Sequence, residues 1–140
     1  IITDTHIEHN IGISKDFNNF ELRKSIGEKN IVKANRIINY FIENPKNNPL
    51  VMTISLLNSF FTQLLMFHGL QDQSKSSVAK SIGVSPYFVD EYFLAARNYP
   101  MRKVAHIIAL LREADVKSKG VGSNQSQSDV LKELLFNIVH

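Results

Sequence analysis

The segment from Pro49 to Gln71, PLVMTISLLNSFFTQLLMFHGLQ, holds no Asp, Glu, Lys or Arg and decides how the rest of the chain is read. It is long enough to span a bilayer, so it must first be tested as a membrane helix. Thr53, Ser55, Asn58, Ser59, Thr62, Gln63 and His68 interrupt its apolarity, and Ser55, Ser59 and Thr62 fall on one helical face. Leu50, Ile54, Leu57, Phe61, Leu64 and Leu65 form a wide apolar stripe. One polar face beside one broad apolar stripe describes the central helix of a water-soluble bundle. The reading therefore excludes a span and requires other helices to cover that stripe.

Those helices appear on both sides. Upstream, Asn44-Pro45-Lys46-Asn47-Asn48-Pro49 is a loop, and Pro49 suits the first turn of the helix that follows. Before it, Asn30 caps a predicted helix with a stripe of Ile31, Ala34, Ile38, Phe41 and Ile42. Asn18 and Glu21 make a capping box for another helix, predicted to stop where Gly27 takes the left-handed conformation. Thr3 caps a short helix through His9, closed by Gly12. Downstream, a short helix ends at Gly83, and Ser85-Pro86 opens one running to about Asn98. Pro100 starts a helix with Val104, Ile107, Ile108, Leu111 and Ala114 inward, and Gly120 to Gln127 is a polar loop. Ser126 and Asp129 cap the last helix, with Leu131, Leu134, Leu135 and Ile138 inward. No period-two run occurs, so the fold class is all-α: a single helical bundle of about seven helices.

Composition narrows the chemistry. The 140 residues are 44% hydrophobic and 21% charged, a globular balance with enough apolar material for one core. Sixteen Lys and Arg against 13 Asp and Glu leave a net charge of +3, so no dense positive stripe follows from charge alone. With no cysteine, disulfides, thiolate metal sites and cysteine nucleophiles are excluded. The start, Ile1-Ile2-Thr3, has neither a basic nor an apolar leader region, so the expectation is a cytoplasmic piece of a longer chain.

Catalytic groups are not arranged for catalysis. His6 and His9 could share a helix face near Glu8, but a zinc site needs three or four converging ligands. His68 and His106 stand alone in apolar helices, and His140 is terminal. Gly120 and Gly122 lack the spacing and the Lys-Ser/Thr of a phosphate loop, and no Gly-x-Ser-x-Gly turn is present. Asp90 and Glu91 are adjacent and so point to different sides of a helix. The expectation is a chain that is not an enzyme by itself and that carries no metal and no cofactor.

One segment has the spacing of a DNA-binding helix-turn-helix. In Val78-Ala79-Lys80-Ser81-Ile82-Gly83-Val84-Ser85-Pro86-Tyr87-Phe88-Val89, Ala79 is small at the crossing and Gly83 makes the turn. Ile82, Val84 and Val89 lock the two helices together. Packing alone explains all of these residues. The exposed start of the second helix offers Tyr87, Asp90 and Glu91, and two carboxylates face phosphates unfavourably. Basic residues gather later, at Arg97, Arg102, Lys103, Arg112, Lys117 and Lys119, with Tyr99 among them.

The order of these segments resembles the delta subunit of bacterial DNA polymerase III. The resemblance rests on Ile11-Gly12-Ile13-Ser14, Asn18-Asn19-Phe20-Glu21-Leu22, Ile26-Gly27 and Ala34, then Asn44-Pro45 to Pro49-Leu50 before the long apolar helix. It continues in Leu110-Leu111-Arg112-Glu113-Ala114-Asp115-Val116-Lys117-Ser118-Lys119-Gly120 and the Leu-rich last helix. It implies that residues 1–13 end a preceding small helical domain and that residues 14–140 are the C-terminal helical collar. It also implies a role in joining clamp-loader subunits during DNA replication. The sliding clamp would be reached only through an N-terminal domain that has no counterpart in this sequence.

Two function classes follow: an oligomerisation collar, or a helix-turn-helix DNA-binding domain of a transcription regulator. For the collar, apolar residues off the main stripe are where neighbouring subunits are expected to meet it: Met52, Leu56, Phe60, Met66 and Phe67, joined by Phe88 and Phe93. Primer-template DNA in the full assembly would meet Arg97, Arg102 and Lys103 through phosphates, with Tyr87 or Tyr99 stacking on a base.

Overall fold

The uncharged helix at the middle of the sequence is also the middle of the structure, a computed structural model that describes residues 16–119 and 126–140. Seven α-helices occur among these residues: α1 (Asn19–Gly27), α2 (Ile31–Glu43), α3 (Leu50–His68), α4 (Lys75–Ile82), α5 (Val89–Asn98), α6 (Met101–Ser118) and α7 (Gln127–Val139). A short 3-10 turn, Pro86–Phe88, leads into α5, and no strand occurs among the described residues. The predicted helix from Thr3 to His9, its Gly12 stop and the domain boundary near residue 13 lie outside the described residues, as does most of the loop from Gly120.

Helix α6 runs along α3, and α7 packs on α6 and reaches back to α2. Helix α1 touches α2, α3 and α5, while α4 and α5 close over α3 from the other side. Leu50, Ile54, Leu57, Phe61 and Leu64 of the predicted stripe are buried, as are Thr53, Phe60 and Phe67. Leu65 is only half-buried. Each large side chain withdrawn from water contributes roughly 1.5–3 kcal/mol, which makes α3 the main apolar contributor. By length and mean hydropathy, 1.7, α3 could cross a membrane, yet these core residues face its neighbours.

The predicted caps form. Asn18 accepts a hydrogen bond from the Glu21 amide at 2.9 Å, Asn30 one from Lys33 at 3.2 Å, and Ser126 one from Asp129 at 3.2 Å. Gly27 departs from expectation: it is the last residue of α1, and the left-handed residue is Lys29, at φ +55°. Glycine is needed at 27 for closeness. A Cβ there would lie 3.3 Å from the Ala95 Cβ and 3.4 Å from the Phe60 ring. Gly83 does take the left-handed conformation, at φ +75°, and ends α4.

Tyr99 ties the layers together. Its hydroxyl donates to the Ile26 carbonyl at 2.7 Å, and its own carbonyl lies 2.8 Å from His68 Nε2. Beside it, Asn98 Nδ2 donates to the Gly27 carbonyl at 2.8 Å. The α5–α6 corner thus caps the C-terminal end of α1, whose last carbonyls have no partner within the helix. Burial pushes the Tyr99 hydroxyl well above the ordinary tyrosine range. Gln63 plays a similar part for α4 and α5: it donates to the Ile82 carbonyl and accepts from the Tyr92 hydroxyl at 2.6 Å. Among the described residues no buried side-chain polar atom lacks a partner.

Candidate interaction surfaces

Three of the residues expected at an interface are in the core. Tyr99 is fully buried, with its ring edge-on to Phe61, so no base can stack on it. Phe60 and Phe67 are buried as well, because α5 covers the half of α3 that carries them. Phe60 packs on Tyr92 at 5.1 Å, and Phe67 meets Phe93 edge-on at 5.0 Å. Leu56 and Phe93 are half-buried against the core. Met52, Met66 and Phe88 remain exposed. The reason for the split is angular: an α3 covered by four helices buries a far wider arc than one stripe.

The turn between α4 and α5 projects aromatic rings. Ser85 accepts from the Tyr87 amide, and Pro86 starts the 3-10 turn. This sets Tyr87 at 85% exposure and Phe88 at 38%, with their rings 5.1 Å apart. Phe20, exposed on α1, joins the patch through Arg23, whose guanidinium lies 5.2 Å from the Phe20 ring centre and 5.9 Å from that of Phe88. The acidic pair at the start of α5 is neutralised locally: Asp90 meets Lys75 at 3.0 Å, and Glu91 meets Arg23 at 3.3 Å. Arg23, at this patch, is held by Glu91, and the turn residues themselves include no Arg, Asn or Gln fork for a base edge. The two helices touch across the turn, but the projecting end is built for apolar contact.

The basic residues divide in two. Lys117 lies between Glu113 and Glu133, and Lys119 pairs with Asp115. Lys103 donates to the Asn137 carbonyl and so fastens α6 to the end of α7. Arg97, Arg102 and Arg112 are exposed, and among the described residues they have no ion-pair partner. Of the histidines, His68 serves Tyr99, His106 is exposed, and His140 lies against Phe136 at 4.4 Å. No cluster of metal-ligating side chains occurs among the described residues.

The outer side of α3 is the other unusual surface. Val51, Met52, Ser55, Asn58, Ser59, Thr62 and Met66 are exposed. At about 100° per residue they share an arc about 120° wide that carries no charge. Along one edge, a cleft of about 280 Å³ separates α3 from α6 and is lined by Val51, Ser55 and Asn58 on one wall and Leu111, Arg112 and Asp115 on the other. Sequence reasoning missed Val51, Phe20 and Arg23 as surface features. Val51 was recoverable, because it sits on the arc of Ser55 and Thr62.

The family model described as DNA polymerase III delta subunit, C-terminal domain, matches residues 16–137. Comparison with curated proteins and with solved structures gives no match.

Proposed function

This chain belongs to the family formed by the C-terminal domains of DNA polymerase III delta subunits, and from that premise we propose that it is a collar domain whose work is assembly. It holds its subunit against the other clamp-loader subunits in the cytoplasmic complex that loads the sliding clamp, and it takes no catalytic step of its own. The observation that carries the reading is a surplus of apolar surface. Phe20, Met52, Met66, Tyr87 and Phe88 remain exposed after the core is complete, as do Val51 and Leu94. Exposed apolar patches mark interaction sites, and interface centres are rich in aromatic rings, Met and Arg and poor in charge.

Arg97 and Arg102 support a secondary contact with the phosphates of primer-template DNA in the assembly, with Lys103 close by in sequence and Tyr87 free to stack. The transcription-regulator reading is not favoured, since the turn that would read bases carries apolar rings and paired carboxylates. The test is reconstitution of the clamp loader from the full-length subunit with and without residues 16–140, read by native mass spectrometry. Failure to assemble only in the deleted form supports the reading; full assembly without these residues refutes it.

A further inference from the structure

The uncharged outer side of α3 has no explanation in the bundle itself. A helix exposed along about 120° of its circumference ordinarily carries charge there, as neighbouring α6 does with Arg102, Arg112 and Glu113. The exposed arc of α3 has Ser and Asn at its middle, with Met52 and Met66 near its ends. Side chains this short let a second helix approach closely, and none of them must shed a charge's hydration. At the cleft edge Arg112 is exposed without a carboxylate partner among the described residues, while Asp115 is already bonded to Lys119.

We propose that this face seats a helix from a neighbouring clamp-loader subunit, uncharged along its contact stripe and carrying an Asp or Glu at the edge that meets Arg112. The inference rests on the assembly reading above and names the surface that performs it. Size argues for a neighbour within a larger assembly and against a second copy of this chain. From Met52 to Met66 the face is about 21 Å long and about 10 Å wide, roughly 200 Å² of surface. A stable stand-alone pair needs about 800 Å² per partner, so this contact must be one of several made at once. A collar domain, held by neighbours on more than one side, meets that condition.

The experiment uses the full-length subunit reconstituted with the remaining clamp-loader subunits. Ser59→Glu and Ser55→Arg each place a charge on the exposed face, and Arg112→Glu reverses the edge cation. Each is expected to weaken assembly more than about tenfold, because the charge must be buried or must meet its like. Ser59→Ala, and Arg36→Glu on the exposed side of α2, are expected to assemble normally. Far-UV circular dichroism and a thermal melt check the fold, and Met52→Lys replaces any variant that does not fold. Normal assembly of all the charged variants overturns the proposal. If deleting residues 16–140 still blocks assembly in that case, the assembly reading stands and only its location falls. Variants that alter self-association of the subunit alone, with assembly unchanged, overturn it in favour of a second copy.

Discussion

Replacing Gly27 by Ala puts a methyl group where α1 touches α5 and α3. Gly27 does not have a positive φ, so the effect is one of space alone. The new Cβ would stand 3.3 Å from the Ala95 Cβ and 3.4 Å from the Phe60 ring. The ring edge can swing by a few tenths of an ångström. Ala95 can move only with α5, and α5 is fastened to the end of α1 by Asn98 and Tyr99. Overpacking at such a close approach costs about 1–3 kcal/mol. Ala in place of Gly returns at most about 1 kcal/mol of helix preference, and less at the last residue of a helix. The net expectation is a loss of about 1 kcal/mol, or about 3–4 °C in Tm. Ala95→Gly opens the same gap from the other side, at its own cost of about 1 kcal/mol inside α5. Because the double variant restores one methyl to one gap, it should be more stable than the sum of the single losses by about 1 kcal/mol. Urea unfolding followed by circular dichroism measures all three. A Gly27→Ala protein at or above the parent's stability, or single losses that simply add, would refute the close-approach argument.

Tyr99→Phe removes the hydroxyl bonded to Ile26 and is expected to cost about 1 kcal/mol by the same unfolding assay while leaving single-strand binding unchanged. Arg97→Ala combined with Arg102→Ala is expected to weaken binding to a fluorescent single strand uniformly across sequences, lowering the salt slope by about 0.7 for each phosphate no longer engaged; anisotropy titrations at several salt concentrations read it. The bond to the Glu21 carboxylate, at 2.8 Å, holds the Lys33 ammonium above its ordinary pKa of 10.5. The folded chain therefore binds that proton more tightly than the unfolded chain. The stabilisation is complete below pH 10.5 and is lost as pH rises through the folded-state value, a decline that Glu21→Gln should flatten in pH-dependent melts.

Local signals made the helices legible. Asn18, Asn30 and Ser126 announce their caps because a side-chain acceptor three residues before an amide needs no distant partner. The 3.6-residue period likewise found Ala34, Ile38 and Phe41 on α2 and Val104, Ile107 and Leu111 on α6. Burial on α3 was less legible, since it depends on how many neighbours cover the helix. Phe60 and Phe67 look like spare apolar residues until α5 is placed over them. Tyr99 misled for the same reason, since its partners Ile26 and His68 lie 73 and 31 residues away. The pairing of Glu91 with Arg23 crosses 68 residues, so the local neutrality of the turn is invisible in the sequence around Asp90.

The bond between His68 and Tyr99 also sets a waiting time during synthesis. Helix α3 can form once His68 has left the ribosome, but the corner that covers its second half needs another 31 residues to emerge. At about 5–20 residues per second, that interval is roughly 2–6 s. Helix formation itself takes on the order of a microsecond, but an isolated helix is marginal in water, so for those seconds the segment carrying Phe61, Leu64 and Phe67 lacks part of the covering that keeps it helical and dry. The emerging chain then presents its longest uncharged segment without the later helices that enclose it. Slower translation while residues 69–99 emerge would lengthen that exposure, and the yield of soluble protein should fall with it.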